Sequence, residues 1–415
     1  MRNQIKKKLD ENHNRIEQWF EGYKQKLGTP LYASFDLRDS RDKVAVVDSN
    51  IYPAGFNNLC PKYFKQIPGF FRQYLEETWP GVKNILIFPE LHTRNHYYME
   101  NLRCLSDSLQ QAGYHVRVGI VDSELREDRV QRKGMEGELF LDRLVRKNGI
   151  LAGPDGFEPD LIISNNDFSQ GVPEILEGLS TPVVPSTRMG WHLRRKHRHF
   201  NILHELLMEF AEVAGIDPWC ISSRFEVCED ADFDDEKKRD LLAVKVDTLL
   251  EKIQKDYDER GIPDEPFVFI KNNAGTYGIA VMLVRSGDDV INATHKTRTK
   301  MRTGKGKTRV NQVLLQEGIP TRDQLDGSPM EPVIYTVGDR PVGGFYRLHR
   351  KRSEFQNLNV RGMEFRRMCF HQAETPAPEA LEEGCRDAAD LLSVYGTLAR
   401  LACLALAREE KEMNS

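Results

Sequence analysis

Short β-branched runs that alternate with helical patterns constrain the fold of this chain more than any other feature. Residues 43–47 (KVAVV), 84–88 (NILIF), 114–121 (YHVRVGIV) and 161–164 (LIIS) are such runs. Helical patterns lie between several of them; YYMENLRCLSDSLQQAG, with Gly113 in the C-cap place, is the clearest. Strand–helix alternation predicts an α/β fold with a doubly wound, mainly parallel sheet in the first half. Ligands of such sheets bind beyond the carboxyl ends of the strands. Polar loops follow three of the runs: Asp48-Ser49-Asn50 with Asn57 and Asn58 beyond, Glu90 to His96, and Asn165 to Ser169. Read singly, each is a solvated turn. Three at one end of one sheet predict a polar small-molecule crevice.

The character of the chain changes near Met189. MGWHLRRKHRHF is strongly basic, FNILHELLMEFAEVAGI then shows helical spacing up to Gly215, and a charged helix spans 234–260. We place a domain boundary there: residues 1–188 form an N-terminal helix and a substrate-side α/β domain, and 189–415 form a second domain with closing helices. Two domains suit 415 residues. A formal net charge of -4 argues against a dedicated nucleic-acid binder. The first 27 residues are charged and amphipathic, with Leu9, Ile16, Trp19 and Phe20 at roughly helical spacing, which predicts a surface helix rather than a secretory signal. No uninterrupted apolar stretch reaches about 18 residues, so no membrane span is expected. Seven cysteines without a CxxC pair fit reduced thiols in a cytoplasmic protein. Oligomeric state is left open, a homo-oligomer included.

In the second half, FVFIKNNAGTYGIAVM places Lys271 at the end of an apolar strand and Gly275-Thr276-Tyr277-Gly278 before the next. A tight hairpin explains the glycines alone. An unpaired ammonium beside an apolar strand is costly, however, and glycines let backbone N–H groups approach an anion. Together they predict a phosphate flap. QVLLQEGIPT follows, a strand ending in Gln316-Glu317 before Gly318 and Pro320 break it. Strands then recur through VIYTVGD and PVGGFYRLH, joined by a hairpin turn within 337–342. KRSEFQNLNVRGMEF offers Glu354, Asn357, Asn359 and Arg361; its carboxylate and amide oxygens suit Mg²⁺. The basic run 296–310 reads as a mobile loop or frayed helix end. Residues 378–411 read as a closing helix broken around Gly384.

This order of lysine strand, glycine flap, acidic hinge and late Asn/Arg segment resembles the ATP-grasp layout over about 189–361, preceded by a crevice domain as in glutathione synthetase. DLRDSRDKVAVVDSNIYPAGFNNLC, FPELHTRNHYYMENL, SNNDFSQGVP, PSTRMGWHLRRKHRHF and IKNNAGTYGIAVM resemble the bacterial glutamate–cysteine ligase family of ATP-grasp type. The resemblance implies an ATP-dependent ligase that joins the γ-carboxylate of L-glutamate to the amine of L-cysteine through an acyl phosphate. It implies ATP and Mg²⁺ (or Mn²⁺) as cofactors, with no nucleic-acid or membrane partner. Lys271, Gly275, Thr276, Tyr277, Gly278, Gln316 and Glu317 are then the nucleotide residues, and Arg347 and Arg361 the catalytic ones. Asn57, Arg94, Asn166 and Arg188 are candidates for substrate contacts; Glu331, Glu354, Asn357 and Asn359 for metal. The chain departs from the family pattern in lacking a late Glu-x-Asn, which leaves the metal ligands open. Two alternatives stand beside this reading: another amino-acid or peptide ligase, and a zinc enzyme using His92 and His96 near Glu90, which lacks the HExxH order.

Overall fold

A computed structural model describes the whole chain except residues 92–94, 122–126, 276–277, 370–384 and 388. The chain is a mixed α/β protein built on three main sheets.

The parallel sheet appears as expected. Its order is Val183–Val184, Leu161–Asn165, Asn84–Pro89, His115–Ile120, Glu138–Arg143 and Arg129–Lys133, with only the last strand antiparallel to its neighbour. Both faces of the central strands Asn84–Pro89 and Leu161–Asn165 are buried, which is why they read as continuous apolar runs. Leu86, Phe88 and Ile162 join one core, while Ile85, Ile87 and Ile163 join another beneath the helices Ile67–Thr78 and His96–Gln111.

One strand moves. KVAVV belongs to Val44–Asn50, which pairs antiparallel with Tyr32–Asp39 in a different, seven-stranded sheet. Tyr32–Asp39 pairs in turn with Ser328–Val337, and that strand with Arg340–Leu348. A short apolar run does not encode its partner, and the sheet this hairpin joins is completed by a strand some 300 residues away. The expected 188/189 boundary therefore cuts across this sheet. The Asp48–Asn50 stretch correspondingly does not follow a strand of the parallel sheet.

The third sheet is antiparallel, in the order Phe225–Cys228, Val313–Glu317, Val268–Asn272, Val281–Val284. The helix Glu236–Arg260 covers it: Leu242, Val246, Leu249 and Ile253 share a core with Val268, Ile270, Val313 and Leu315. Asp235 caps this helix by accepting from the Lys238 amide, and Gly261 stops it at φ 65°. The basic helix Lys196–Ala214 ends the same way at Gly215. The 296–310 run is ordered more than expected: Thr294 caps the helix His295–Arg302, and a single turn follows at Lys305–Lys307.

The closing helix Ala389–Asn414 packs on Lys196–Ala214, the two N-terminal helices and the seven-stranded sheet. By length and composition alone its Leu391–Asn414 stretch could cross a membrane. Its apolar window is 67% buried within the fold, as a core helix requires.

Candidate functional site

The seven-stranded and four-stranded sheets face each other across a cleft of about 650 Å³. Side chains on alternate positions of a strand share a face, so the hairpin offers Asp36 and Arg38 from one strand and Asp48 from the next. Glu331 and Arg347 are direct cross-strand partners. Strand pairing alone thus builds an ion pair: Arg347 Nη1 lies 2.7 Å from Glu331 Oε1 and 2.8 Å from Asp36 Oδ2. Arg38 Nε meets the other Glu331 oxygen at 2.7 Å. Burial pushes the Asp36 carboxyl up, against the pull of Arg347.

Lys271 projects from the opposite wall. Its Nζ donates to the Gln316 side-chain oxygen at 2.6 Å and to the Val47 carbonyl at 3.1 Å. Among the described residues no carboxylate lies within ion-pair distance of it. Burial lowers its pKa to about 8, opposed by Asp48. Asp48 itself is held below the usual carboxylate range: burial works against ionisation, but Lys196 and Lys271 outweigh it. Lys196 bonds Asp48 directly and lies 4.8 Å from the Trp191 ring centroid.

The glycine segment is a hairpin loop between Val268–Asn272 and Val281–Val284, with Lys271 opposite Val281. Gly278 sits at φ 64°, and a Cβ there would come 2.3 Å from the Asn359 carbonyl and 3.1 Å from Asn357 Nδ2. The loop thus rests on the NLNVRG segment, where the Asn357 side chain accepts from the Asn359 amide at 2.9 Å. Gln316 and Glu317 border the cleft, yet the Glu317 carboxylate is committed elsewhere. One oxygen is 2.6 Å from Lys43 Nζ, and the other accepts from the Arg224 amide at 2.8 Å. Lys43 in turn lies 4.0 Å from the Trp219 ring centroid.

A second chamber of about 740 Å³ adjoins the cleft and shares Asp36, Asp48, Arg347 and Asn359 with it. Trp191, Tyr335, Phe345 and Phe365 give it an aromatic wall, with Ser34, Asn50 and Asn58 among them. The hairpin strand is braced from the closing helix. Buried Arg194 joins Glu409 at 3.0 Å and the Ser49 carbonyl at 3.0 Å, and Ser49 Oγ lies 2.7 Å from His199 Nε2.

Of the residues singled out in the sequence, the structure brings Lys271, Gly275, Gly278, Gln316, Glu317, Glu331, Arg347, Asn357 and Asn359 to one cleft. Thr276, Tyr277, Arg94 and His92 lie outside the described residues. Arg361 is exposed, its carbonyl 3.2 Å from His349 Nε2. Glu354 borders a separate pocket behind the hinge. Asn57 contacts its neighbour Asn58, Asn166 donates to the Pro89 carbonyl, and Arg188 is exposed. His96 is turned to the Lys133 carbonyl and Glu90 to Lys305, and no cluster of three metal-ligating side chains occurs among the described residues. Sequence reading missed Asp36, Arg38, Asp48 and Lys196. The signal was present in SFDLRD, where charged residues alternate with Phe35 and Leu37 inside a strand pattern.

A family model for glutamate-cysteine ligase matches residues 6–410. The fold is similar to the crystal structure of a protein assigned as a gamma-glutamylcysteine synthetase in Methylobacillus flagellatus KT. That similarity has a TM-score of 0.88 and 37% identity, over 99% of this chain and 96% of that one. A D-alanyl-alanine synthetase A from Vibrio cholerae aligns at a TM-score of only 0.33 and 10% identity, over 76% and 79% of the two chains, and carries no argument. No curated protein sequence matches significantly.

Proposed function

Because the chain belongs to the glutamate–cysteine ligase family, we propose that the cleft binds ATP and that the adjoining chamber receives the amino-acid substrates. The enzyme is an ATP-dependent ligase that joins L-glutamate to L-cysteine. The observation that carries the site assignment is the meeting of cleft and chamber at Arg347, Asp36, Asp48 and Asn359. A γ-phosphoryl in the cleft and a γ-carboxylate in the chamber would meet there.

The four-stranded sheet with its flap and the seven-stranded sheet would form the two jaws of an ATP-grasp. Lys271, an ammonium with no carboxylate within ion-pair distance among the described residues, suits a phosphate. Gly275 and Gly278 would bring the flap over it, together with Thr276 and Tyr277. The strand end at Gln316 and Ile319 would border the base, with Glu317 acting through Lys43 as a brace. Arg347 and Arg38 would hold the transferring phosphoryl and the acyl phosphate. Catalysis of this kind is mostly positioning and charge neutralisation.

Mg²⁺ takes one or two carboxylates and the substrate's phosphates rather than an all-protein cage; Glu331, beside Asn357 and Asn359 in the cleft, could serve only by exchanging its contacts with Arg38 and Arg347 for the ion. Bound there, it would neutralise phosphate charge. The division into 1–188 and 189–415 is proposed for function only, since Asp36 and Asp48 come from the first part. ATP and reduced cysteine as substrates support a cytoplasmic enzyme.

The test is Lys271→Ala, assayed as phosphate release with Mg-ATP across amino-acid pairs. Turnover with glutamate and cysteine should drop sharply while the fold is kept. Unchanged kinetics would sink the nucleotide role. If another acid–amine pair alone consumed ATP, the substrate assignment would fail.

A further inference from the structure

Asp36 and Asp48 are direct partners across the antiparallel hairpin, and side chains so paired stand roughly 5 Å apart at Cβ. Both border the cleft and both border the chamber. Two carboxylates facing each other in a half-buried cleft repel, and a fixed pattern of cations keeps them there. The surroundings separate them. Asp48 is met by Lys196 from the helix Lys196–Ala214 and by Lys271 from the flap strand. Asp36 is met by Arg347, with Glu331 and Asp48 as like charges and Arg38 two residues on along its own strand. One carboxylate is held ionised by lysines; the other shares its ion-pair partner, Arg347, with Glu331. Carboxylates whose environments push them apart divide the work of an acid–base pair.

The ligation reaction needs such a division. The incoming amino acid arrives as an ammonium and must attack as an amine. We propose that Asp48 and Asp36 are the amine-handling pair of this ligase: Asp48 holds the acceptor's ammonium at the chamber mouth, and Asp36 takes its proton as the nitrogen attacks. In that step a C–N bond forms at the acyl carbon, the C–O bond to phosphate breaks, and inorganic phosphate leaves with the bond's electrons. The nitrogen gives up two protons: the first passes from the ammonium to an Asp36 oxygen as it becomes a nucleophile, and the second, lost once the C–N bond has formed, leaves with the phosphate as HPO4²⁻. Burial raises the proton affinity of Asp36, which suits a base, while the lysines suit Asp48 to remain an anion. This deepens the ligase reading and rests on it.

The experiment compares two acceptors. Cysteine reaches the site as an ammonium near neutral pH; hydroxylamine is already a neutral amine there and traps the acyl phosphate without giving up a proton first. Glutamate-dependent ADP release is followed with each acceptor, from below neutral pH into the alkaline range. With Asp36→Asn, turnover of cysteine relative to hydroxylamine should fall about 100-fold or more near neutral pH. The deficit should shrink as rising pH deprotonates the cysteine amine in solution. Asp48→Asn is the second variant, and keeps the proposal testable should the first not fold. It should raise KM for cysteine about tenfold or more, with a smaller change in KM for glutamate. Equal losses with both acceptors at every pH would overturn the proposal in favour of a phosphoryl or purely structural role. So would cysteine turnover at the wild-type level. Either result leaves the ligase reading standing, because wild-type ADP release with glutamate tests that reading separately; its failure would take both down.

Discussion

Gly278→Ala tests whether the glycine loop closes over the nucleotide. Two penalties apply at this position. The backbone sits at φ 64°, where a residue with a Cβ loses roughly 1–2 kcal/mol. The new methyl would also lie 2.3 Å from the Asn359 carbonyl, a backbone atom that cannot swing aside. The loop must therefore retreat by about an ångström or stay open. The strain alone disfavours the closed position by about 5- to 30-fold, and apparent ATP affinity should fall by the same factor, because only the closed state makes the phosphate contacts. Global stability should change little, since the loop can detach without opening an apolar core. The assay is KM for ATP at saturating glutamate and cysteine, with thermal melting alongside. Gly275→Ala is the internal comparison: its φ is not in the left-handed region, so it carries only the steric penalty of a Cβ 2.9 Å from the Asn272 Cβ. The Gly275 variant should therefore be milder. A Gly278→Ala enzyme with KM for ATP within twofold of wild type would refute the lid.

Two further outcomes follow from buried charges. Lys271 has its pKa lowered to about 8 in the free protein, and a phosphate beside it must raise it. ATP binding then takes up a proton, so affinity should weaken as pH climbs above about 8, by up to tenfold per unit; calorimetry in buffers of different ionisation enthalpy reads the proton, and Lys271→Met should abolish the uptake. For folding, the unfolded value of 10.5 exceeds the folded one, so the unfolded chain binds more protons between them, and this lysine's contribution to stability improves as pH rises from about 8 to 10.5. Lys43→Ala removes one partner of an ion pair whose side chains are 3% and 1% exposed. Glu317 would keep its amide partner but lose its ion-pair partner, at a cost of about 3–5 kcal/mol in urea denaturation; a loss below about 1 kcal/mol would show that the pair does not brace the hinge.

The sequence made the nucleotide wall legible because its signals are local. Lys271 at the end of an apolar strand, two glycines and an Asn-rich loop all lie within 90 or so residues, and each carries its own backbone reason. The parallel sheet was legible for the same reason: a strand buried on both faces declares itself by composition alone. The other wall was not. Asp36 and Asp48 acquire meaning only when Tyr32–Asp39 finds Ser328–Val337, and no local pattern announces a partner so distant. The basic stretch around Arg194 reads as a solvated face or as a positive wall around ATP and an acidic substrate; Arg194 is instead buried on Glu409, while Lys196 lines the cleft on Asp48. Those carboxylates lie in a far helix and a far strand, so the pattern of charge suggested water where the fold supplies counter-ions. Arg361 sits beside true cleft residues in sequence but on an exposed turn, because a loop changes facing from one residue to the next.

The pairing of residues 32–39 with 328–337 also sets an order of events during synthesis. At about 5–20 residues per second, the first strand waits roughly 15–60 s for its partner to emerge. Through that interval it is an apolar edge with unpaired backbone groups, a template for the wrong neighbour. The brace from Glu409 arrives later still. A ribosome-bound chain lacking its last helix should therefore have the parallel sheet in place and no working cleft. The nascent protein would be exposed to aggregation for most of its translation, and activity would be conferred only by its final residues.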